Sequence, residues 1–143
     1  MIDILDKKIV YLKYNEVIFL HDEIIKETGG LKGIRDQGLL ESALFAPQIS
    51  LFGRDQYYGI YEKAAIYLYH IIKNHAFNDG NKRTAYGCVR LFFKINHKDF
   101  PHKEDWEKLC VMIADGSTSK EELLTIFNHN DAREGKCRAH FYV

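Results

Sequence analysis

One segment of eleven residues groups the side chains that could carry chemistry in this chain. It runs HAFNDGNKRTA over residues 75–85 and holds an imidazole, a carboxylate, a glycine and two cations. Apolar residues at helical spacing lie on both sides of it, so the segment is predicted to connect two helices. These groups in one tight connection favour a phosphate site with a base beside it.

The second of the two helices is predicted to begin after Gly80, with Asn81, Lys82 and Arg83 in its first turn. The start of a helix exposes N–H groups without partners and carries partial positive charge. A glycine there lets a phosphate approach the backbone closely. The two cations stand where the helix dipole alone favours acidic residues, which indicates a bound anion. We therefore predict that these four residues bind phosphate groups.

Each remaining side chain of the segment suits a particular chemical role. Arg83 offers phosphate oxygens a planar fork, and Lys82 offers a flexible point charge. Asp79 is a hard oxygen ligand of the kind that Mg²⁺ takes alongside substrate phosphates. His75 can be neutral near pH 7 and can accept a proton from an attacking hydroxyl. Phe77 follows two residues later, so in an extended loop both side chains share a face, and Phe77 is predicted to anchor the loop.

Every one of these residues also has an ordinary structural interpretation. A histidine before a helix is usually a polar loop residue, and an aspartate at a helix start is usually an N-cap. A Lys-Arg pair on a helix is usually a solvated face, and a phenylalanine is usually part of the core. The combination in one fixed order nevertheless favours the functional interpretation.

The segment resembles the Fic motif, H-x-F-x-(D/E)-G-N-x-R-x-x-R. It is even more similar to the Doc (death on curing) branch of the Fic/Doc superfamily, whose motif runs H-x-F-x-D-A-N-K-R-T-A. Two positions depart from these patterns: Gly80 replaces the alanine of the Doc branch, and Tyr86 replaces the second arginine of the Fic motif. Stretches at residues 20–22, 29–36 and 38–43 also resemble Doc proteins, so the similarity covers about residues 17–96.

The resemblance implies transfer of a phosphate-containing group from ATP to a protein hydroxyl, with Mg²⁺ as the cofactor. It implies that His75 takes the hydroxyl proton, that Asp79 holds the metal, and that the Gly80–Asn81 turn and Arg83 cradle the phosphates. In Doc toxins the group is the γ-phosphoryl and the target is translation elongation factor Tu, so translation stops. Fic enzymes usually transfer AMP instead (adenylylation), and a third hypothesis is a catalytically inactive Fic-fold binding module.

The two departures from the motifs favour opposite reactions. Tyr86 removes a cation that grips the nucleotide in AMP-transferring enzymes, which favours phosphoryl transfer. Gly80 restores the Fic form of the anion-binding turn, which favours AMP transfer. A charge-assisted phosphate contact contributes about 1.5–3 kcal/mol, so the arginine loss is the larger change. We therefore prefer the Doc-like protein kinase.

The resemblance also implies partner proteins. Many Fic proteins inhibit themselves with a helix of the form (S/T)-x-x-x-E-(G/N). Residues 130–135 end in that way but begin with Asn, and Tyr86 replaces the arginine that the glutamate engages, so we interpret this match as coincidence. A separate cognate antitoxin, inserting a helix into a groove, is then expected. By analogy with Fic proteins, residues 48–58 are interpreted as a flap that positions the target segment, with an ordinary surface loop as the alternative.

The fold class expected from the apolar periodicity and from the resemblance is all-α. We predict a compact Fic/Doc-like bundle of about six helices in which residues 1–143 form a single domain. The helices are predicted at residues 16–27, 36–46, 57–73, 81–93, 104–114 and 119–128. Asn15 is expected to cap the first, one face of the third is expected to be buried, and Ser119 with Glu122 is expected to form a capping box for the last. His21 lies on the inward face of the first, so a hydrogen-bonded core histidine is expected. The tail, residues 133–143, has no clear period, and no role is assigned to it.

Composition excludes several classes of protein. Twenty basic residues balance twenty acidic ones, so no global field attracts nucleic acid or a membrane, and neither is expected as a partner. The first residues lack the basic region and apolar run of a signal peptide, and no apolar stretch is long enough to span a bilayer. The three cysteines are odd in number and far apart, which disfavours a disulfide framework or a zinc site. Cys88 and Cys110 fall on apolar helical faces and are expected to be small core residues. A reduced cytoplasm fits these features best.

Overall fold

The computed structural model describes residues 8–101 and 105–134, and for residues 131–134 the backbone alone. The described residues form six α-helices: α1 Tyr14–Thr28, α2 Gln37–Phe45, α3 Gly59–Asn74, α4 Asn81–Ile95, α5 Trp106–Ala114 and α6 Lys120–Glu134. A 3-10 helix, Ala46–Gln48, follows α2, and the antiparallel strands β1 Ser50–Leu51 and β2 Arg54–Asp55 form a hairpin before α3. The prediction of a mostly helical fold with about six helices is confirmed.

Helix α3 lies at the centre of the core and packs against α2, α4, α5, α6 and the 3-10 helix. The sequence predicted one buried face for this helix, which is wrong, since Lys63, Ile66 and Tyr67 are also fully buried. Ile66 packs with Ala46 of the 3-10 helix and Leu124 of α6, which cover the second face. When several elements cover a helix, its sequence has no solvent-exposed polar stripe, so the pattern does not show which faces are buried.

The predicted helix ends agree with the structure to within about two residues, except at the end of the last helix. Helix α1 begins two residues earlier than predicted, because Glu16 Oε1 accepts from the N–H of Lys13 at 2.9 Å and closes the first turn with Lys13, not Asn15, as the N-cap. The predicted capping box of the last helix is confirmed by two hydrogen bonds between Ser119 and Glu122, 2.8 and 3.1 Å long. Within the described residues, that helix continues past residue 128 to Glu134.

Hydrogen bonds from a fully buried lysine of α3 hold the hairpin against that helix. Lys63 Nζ donates to the carbonyl oxygens of Tyr57 at 2.6 Å and Pro47 at 3.2 Å, and to Asp55 Oδ2 at 3.2 Å. These acceptors lie before, within and after the hairpin, so one ammonium group binds the whole segment. Its three donors are satisfied, as a buried charge requires.

The segment predicted to be a flap, residues 48–58, contains this hairpin. Its tip residue, Phe52, is 99% exposed, and Leu51 beside it is 58% exposed. An apolar tip held out into solvent on an anchored hairpin is compatible with contact to another protein. Its role in positioning a target stays a prediction.

Three further predictions concern the cysteines, the membrane and the tail. Cys88 and Cys110 are buried, as expected of small core residues, whereas Cys137 lies outside the described residues. Helix α6 includes the backbone of residues 133–134, and the rest of the tail is not described. Among the helices of the described residues, none combines the length and apolar character needed to cross a bilayer.

Candidate active site

The connection between α3 and α4 is built from two left-handed residues. His75 follows the last residue of α3 with φ 51° and ψ 50°, and Gly80 precedes α4 with φ 76° and ψ 21°. Glycine suits position 80, because a Cβ there would lie 3.0 Å from Ile25 Cδ1 as well as requiring a positive φ. His75 adopts the same region without that freedom, at a cost of about 1–2 kcal/mol.

Asn81 joins the histidine to the start of α4. Its Oδ1 accepts from the N–H of Phe77 at 2.9 Å, which turns Nδ2 toward the carbonyl of Phe77 at 3.0 Å and toward His75 Nδ1 at 3.3 Å. Since an amide nitrogen only donates, Nδ1 is the acceptor and the neutral ring carries its proton on Nε2. The side chain of Asn81 therefore orients the imidazole, and only its backbone N–H belongs to the open helix end.

Phe77 and His75 face different surroundings. Phe77 is fully buried, and its ring stacks on that of His21 with centroids 3.8 Å apart, which supports the predicted anchoring role. His75 is exposed. The expectation that both side chains share a face is wrong, because the left-handed conformation of His75 interrupts the alternation of an extended loop. His21 is the expected core histidine, and its Nε2 lies 2.8 Å from the carbonyl oxygen of Asp79.

Asp79 is held as a carboxylate at the edge of the loop. Its Oδ2 accepts from the N–H of Leu31 at 3.1 Å and its Oδ1 from the N–H of Gly80 at 2.8 Å, while Arg83 Nη2 lies 3.6 Å from Oδ1. These two N–H groups, and then the charges of Arg83 and His21, hold the pKa of Asp79 below its ordinary value. Because 41% of its side chain is exposed, the carboxylate also faces solvent.

Residues 28–36, to which the sequence analysis gave no part in the site, lie along the motif loop; we call them the bracing segment. The carbonyl oxygens of Lys32 and Gly33 accept from the side chain and backbone of Asn78, and Ile34 forms a β-bridge with Phe77. Its glycines and Arg35-Asp36 were part of the family resemblance, but nothing in that pattern indicated which loop the segment contacts.

Arg83 is bound by the bracing segment rather than turned fully toward solvent. Its Nη1 donates to Thr28 Oγ1 and to the carbonyl of Gly29, the latter at 3.0 Å. With Nη2 near Asp79, the guanidinium connects the end of α1, the loop and the first turn of α4. It remains 40% exposed, so part of the fork can still meet a ligand.

Replacing Gly30 by alanine is expected to destabilise the protein by about 2–4 kcal/mol. Gly30 has φ +124°, and a Cβ there would lie 2.6 Å from Asp79 Oδ2 and 3.2 Å from Ile25 Cδ1. Backbone strain and overpacking each contribute about 1–2 kcal/mol, and the carboxylate must leave the N–H of Leu31. Gly116→Ala is the matched control, because Gly116 has φ +88° with nothing within 4 Å. Equal losses of stability in chemical denaturation would contradict the contact with Asp79.

A cavity of about 520 Å³ opens at the first turn of α4, between this helix and α5. It is lined by Asp79, Gly80, Asn81, Lys82, Arg83, Tyr86, Trp106, Glu107, Cys110 and Val111. The structure thus brings all the predicted phosphate-binding residues and the predicted metal ligand to one cavity. His75 and Phe77 are not part of its lining; His75 adjoins it through Asn81.

The mouth of the cavity favours an anion. The first backbone bond of α4 joins the N–H of Thr84 to Gly80 O at 2.9 Å, so the N–H groups of Asn81, Lys82 and Arg83 precede the helical ladder. In the part of the chain that the structure describes, the exposed Lys82 has no hydrogen-bond or ion-pair partner. Together these groups present donors and positive charge without protein acceptors.

Other residues of the cavity limit its chemistry. Burial raises the pKa of the Cys110 thiol to about 11, so this sulfur is protonated and a poor nucleophile near neutral pH. Tyr86, at the position of the second Fic arginine, lines the cavity as an uncharged ring, and its hydroxyl accepts from Arg90 at 3.2 Å. The cations of the lining are therefore Lys82 and Arg83.

Comparison with known proteins assigns the chain to a family. The sequence model of the Fic/DOC family matches residues 11–93, which is more than half of the chain and includes α1 to α3, the motif loop and most of α4. The chain belongs to the Fic/DOC family. Its similarity to named relatives places it in the Doc branch of that family, as the motif predicted.

Two relatives support this branch assignment. The chain is 44% identical over 68 residues to Toxin Doc of Mycolicibacterium smegmatis, a match that covers 48% of the chain and 52% of that relative. It is 32% identical over 109 residues to Protein kinase doc of Escherichia phage P1, covering 76% of the chain and 86% of the relative. The first match therefore spans about half of the relative's length, and the second spans most of it.

The Fic/DOC site has the donor set for a metal held together with a substrate. Among the described residues, no group of three or more His, Cys, Asp or Glu side chains could enclose a metal ion. Mg²⁺ does not need such a cage, since it is usually bound by one or two carboxylates together with substrate phosphates. Asp79, anionic and half-exposed at the cavity, fits that arrangement.

Proposed function

We propose that this chain is a Doc-like toxin that transfers a phosphoryl group from ATP to a hydroxyl of a target protein, in the presence of Mg²⁺. The observation that carries the proposal is the 3.3 Å contact between Asn81 Nδ2 and His75 Nδ1. Through this contact the first residue of α4 holds a base beside the helix end that offers unpaired N–H groups to phosphates.

In this mechanism His75 accepts the proton of the target hydroxyl. The hydroxyl oxygen then forms a bond to the γ-phosphorus of ATP, and the bond from that phosphorus to the bridging oxygen breaks, so that ADP leaves. The lone pair of the neutral ring lies on Nδ1 in the tautomer that Asn81 favours. Asn81 Nδ2 donates to this lone pair at rest, so proton uptake at Nδ1 requires the target hydroxyl to replace Asn81 there. Uptake at Nε2 instead requires the other tautomer of the exposed ring, in which Nδ1 carries the hydrogen and the bond from Asn81 is given up.

The other motif residues would bind the nucleotide. Lys82, the open N–H groups of α4 and the exposed part of Arg83 would compensate the charge of the phosphates. Asp79 would hold Mg²⁺, which neutralises developing charge on phosphate oxygens. Arg83 also holds the carboxylate of Asp79 at 3.6 Å, so the two residues would act as one unit.

The alternative within this site is AMP transfer, and the Fic-like glycine at position 80 favours it. Phosphoryl transfer remains our choice, because Tyr86 brings no charge to the cavity where the second arginine of the Fic motif would lie. One relative is named Protein kinase doc, which supports the same choice. A catalytically inactive binding module is the third hypothesis.

We propose that the target is translation elongation factor Tu, that its modification arrests translation, and that a cognate antitoxin controls the chain. The name of the relative Toxin Doc supports a toxin–antitoxin system. The exposed hairpin tip at Leu51 and Phe52 would contact the target segment. Because the proposed substrates, ATP and elongation factor Tu, occur together in the cytoplasm, we propose that the chain acts there.

Transfer of label from ATP distinguishes these hypotheses. The purified chain is incubated with Mg²⁺, elongation factor Tu and ATP labelled at either the α- or the γ-phosphorus. We expect label on the target only from γ-labelled ATP, with a mass increase equal to one phosphate. Label from α-labelled ATP would show AMP transfer instead. Absence of both labels, with growth arrest that does not depend on His75, would indicate a binding module.

A further inference from the structure

Three successive carbonyl groups at the end of α3 all accept hydrogen bonds from Arg35 and Asp36. Arg35 Nη2 donates to Asn74 O at 3.2 Å, and Arg35 Nε donates to His75 O at 2.8 Å. The backbone N–H groups of Arg35 and Asp36 donate to Ala76 O at 2.6 and 3.0 Å. The carbonyl of the candidate base itself is thus held by a charged, planar donor 40 residues away in the chain.

This arrangement explains how His75 keeps a left-handed backbone. A non-glycine residue stays in that region only where its surroundings determine it, and such residues cluster at functional sites. The fork of Arg35 supplies two charge-assisted bonds to adjacent carbonyls and places a cation at the negative end of α3. A lysine could offer charge there, but not two donors in one plane.

We propose that Arg35 is a positioning residue: its guanidinium sets the backbone of His75 and thereby the direction of the imidazole. The inference rests on the proposed function of His75 as the base and names the residue that regulates its geometry. Arg35 is exposed and acts on a helix end, so its loss is expected to change the direction of one side chain more than the stability of the core. It touches neither the cavity lining nor a reacting atom.

Kinetics of Arg35→Gln separate this role from a general structural one. We expect kcat for transfer to fall about 10- to 100-fold, as small misplacements of catalytic groups do, with KM for ATP within about twofold and thermal unfolding nearly unchanged. Arg35→Lys should lie between Arg35→Gln and the wild type. Lys98→Gln, which removes a cation beyond the far end of α4, is the charge-matched control and should behave as wild type.

A double variant tests whether Arg35 acts through the histidine. In a His75→Ala background, Arg35→Gln should cause no further loss of the residual rate, because the side chain that it positions is gone. Additive losses would overturn the proposal. A kcat of Arg35→Gln that falls only in proportion to the fraction of unfolded protein would also overturn the proposal.

An NMR measurement tests the same proposal without reference to activity. The ring signals of His75 are expected to shift or broaden in Arg35→Gln, while those of His97, a distant exposed histidine, stay in place. Unchanged His75 signals would overturn the positioning role even if transfer is lost. If the wild type transfers no label, the proposed function fails, and the NMR result still decides whether Arg35 sets the ring. Should Arg35→Gln not fold, the same comparison is made with Arg35→Lys.

Discussion

Replacing His75 by alanine is expected to lower the rate of transfer by about 10²- to 10⁴-fold, the usual contribution of a positioned general base. Growth arrest on expression should disappear with it. Folding should be almost unaffected, because the side chain is exposed. Among the described residues, Asn81 is the one hydrogen-bond partner of its ring. A surface change of this kind shifts stability by about 0.5 kcal/mol or less. The measurement is the single-turnover rate of label transfer.

His97→Ala provides a matched control for this prediction. His97 is also exposed and also left-handed, with φ 57°, but it lies beyond the other end of α4. The two variants therefore incur the same backbone strain and lose the same imidazole, and only the location differs. Comparable transfer by the His75→Ala variant and the wild type would exclude His75 as the base.

Replacing Lys63 by alanine is expected to destabilise the protein by about 3 kcal/mol, or to lower the unfolding temperature by roughly 10 °C. Lys63 is fully buried, so its methylene groups leave a cavity, and the carbonyls of Pro47 and Tyr57 lose their charged donor. Part of this loss in the free energy of unfolding is recovered, because the variant no longer has to desolvate an ammonium group when it folds. The measurement is equilibrium denaturation.

Lys63→Met separates packing from hydrogen bonding in that prediction. Methionine nearly keeps the volume of the stem but has no ammonium, so about half of the lost stability should return. The hairpin should nevertheless loosen in both variants, which hydrogen exchange reports at the N–H of Gln56, bonded to Ile49 O at 2.9 Å. The N–H of Thr84 in α4 serves as the reference amide. Unchanged exchange at Gln56 in Lys63→Met would contradict the fastening of the hairpin by the ammonium group.

The elements around the motif were predictable because their signals are local. The start of α4 after Gly80 follows from a glycine before a 3.6-residue apolar repeat, and the start of α6 follows from Ser119 and Glu122 three residues apart. Helical periodicity also indicated α3, although it left the burial of Lys63 unrecognised. A charged residue on an assumed solvent face gives no sign that two other elements cover it.

The functional site likewise combines features that the sequence determines with features that only the tertiary structure determines. The order of His75, Asp79, Gly80 and the two cations in one helix connection was determined by the sequence itself, because neighbours within one turn fix which groups open a helix and which precede it. Only the tertiary structure decided that Arg35 binds the end of α3, since that contact joins residues 40 positions apart. Such pairing depends on how whole helices pack against one another, and no propensity or spacing within a short window carries that information.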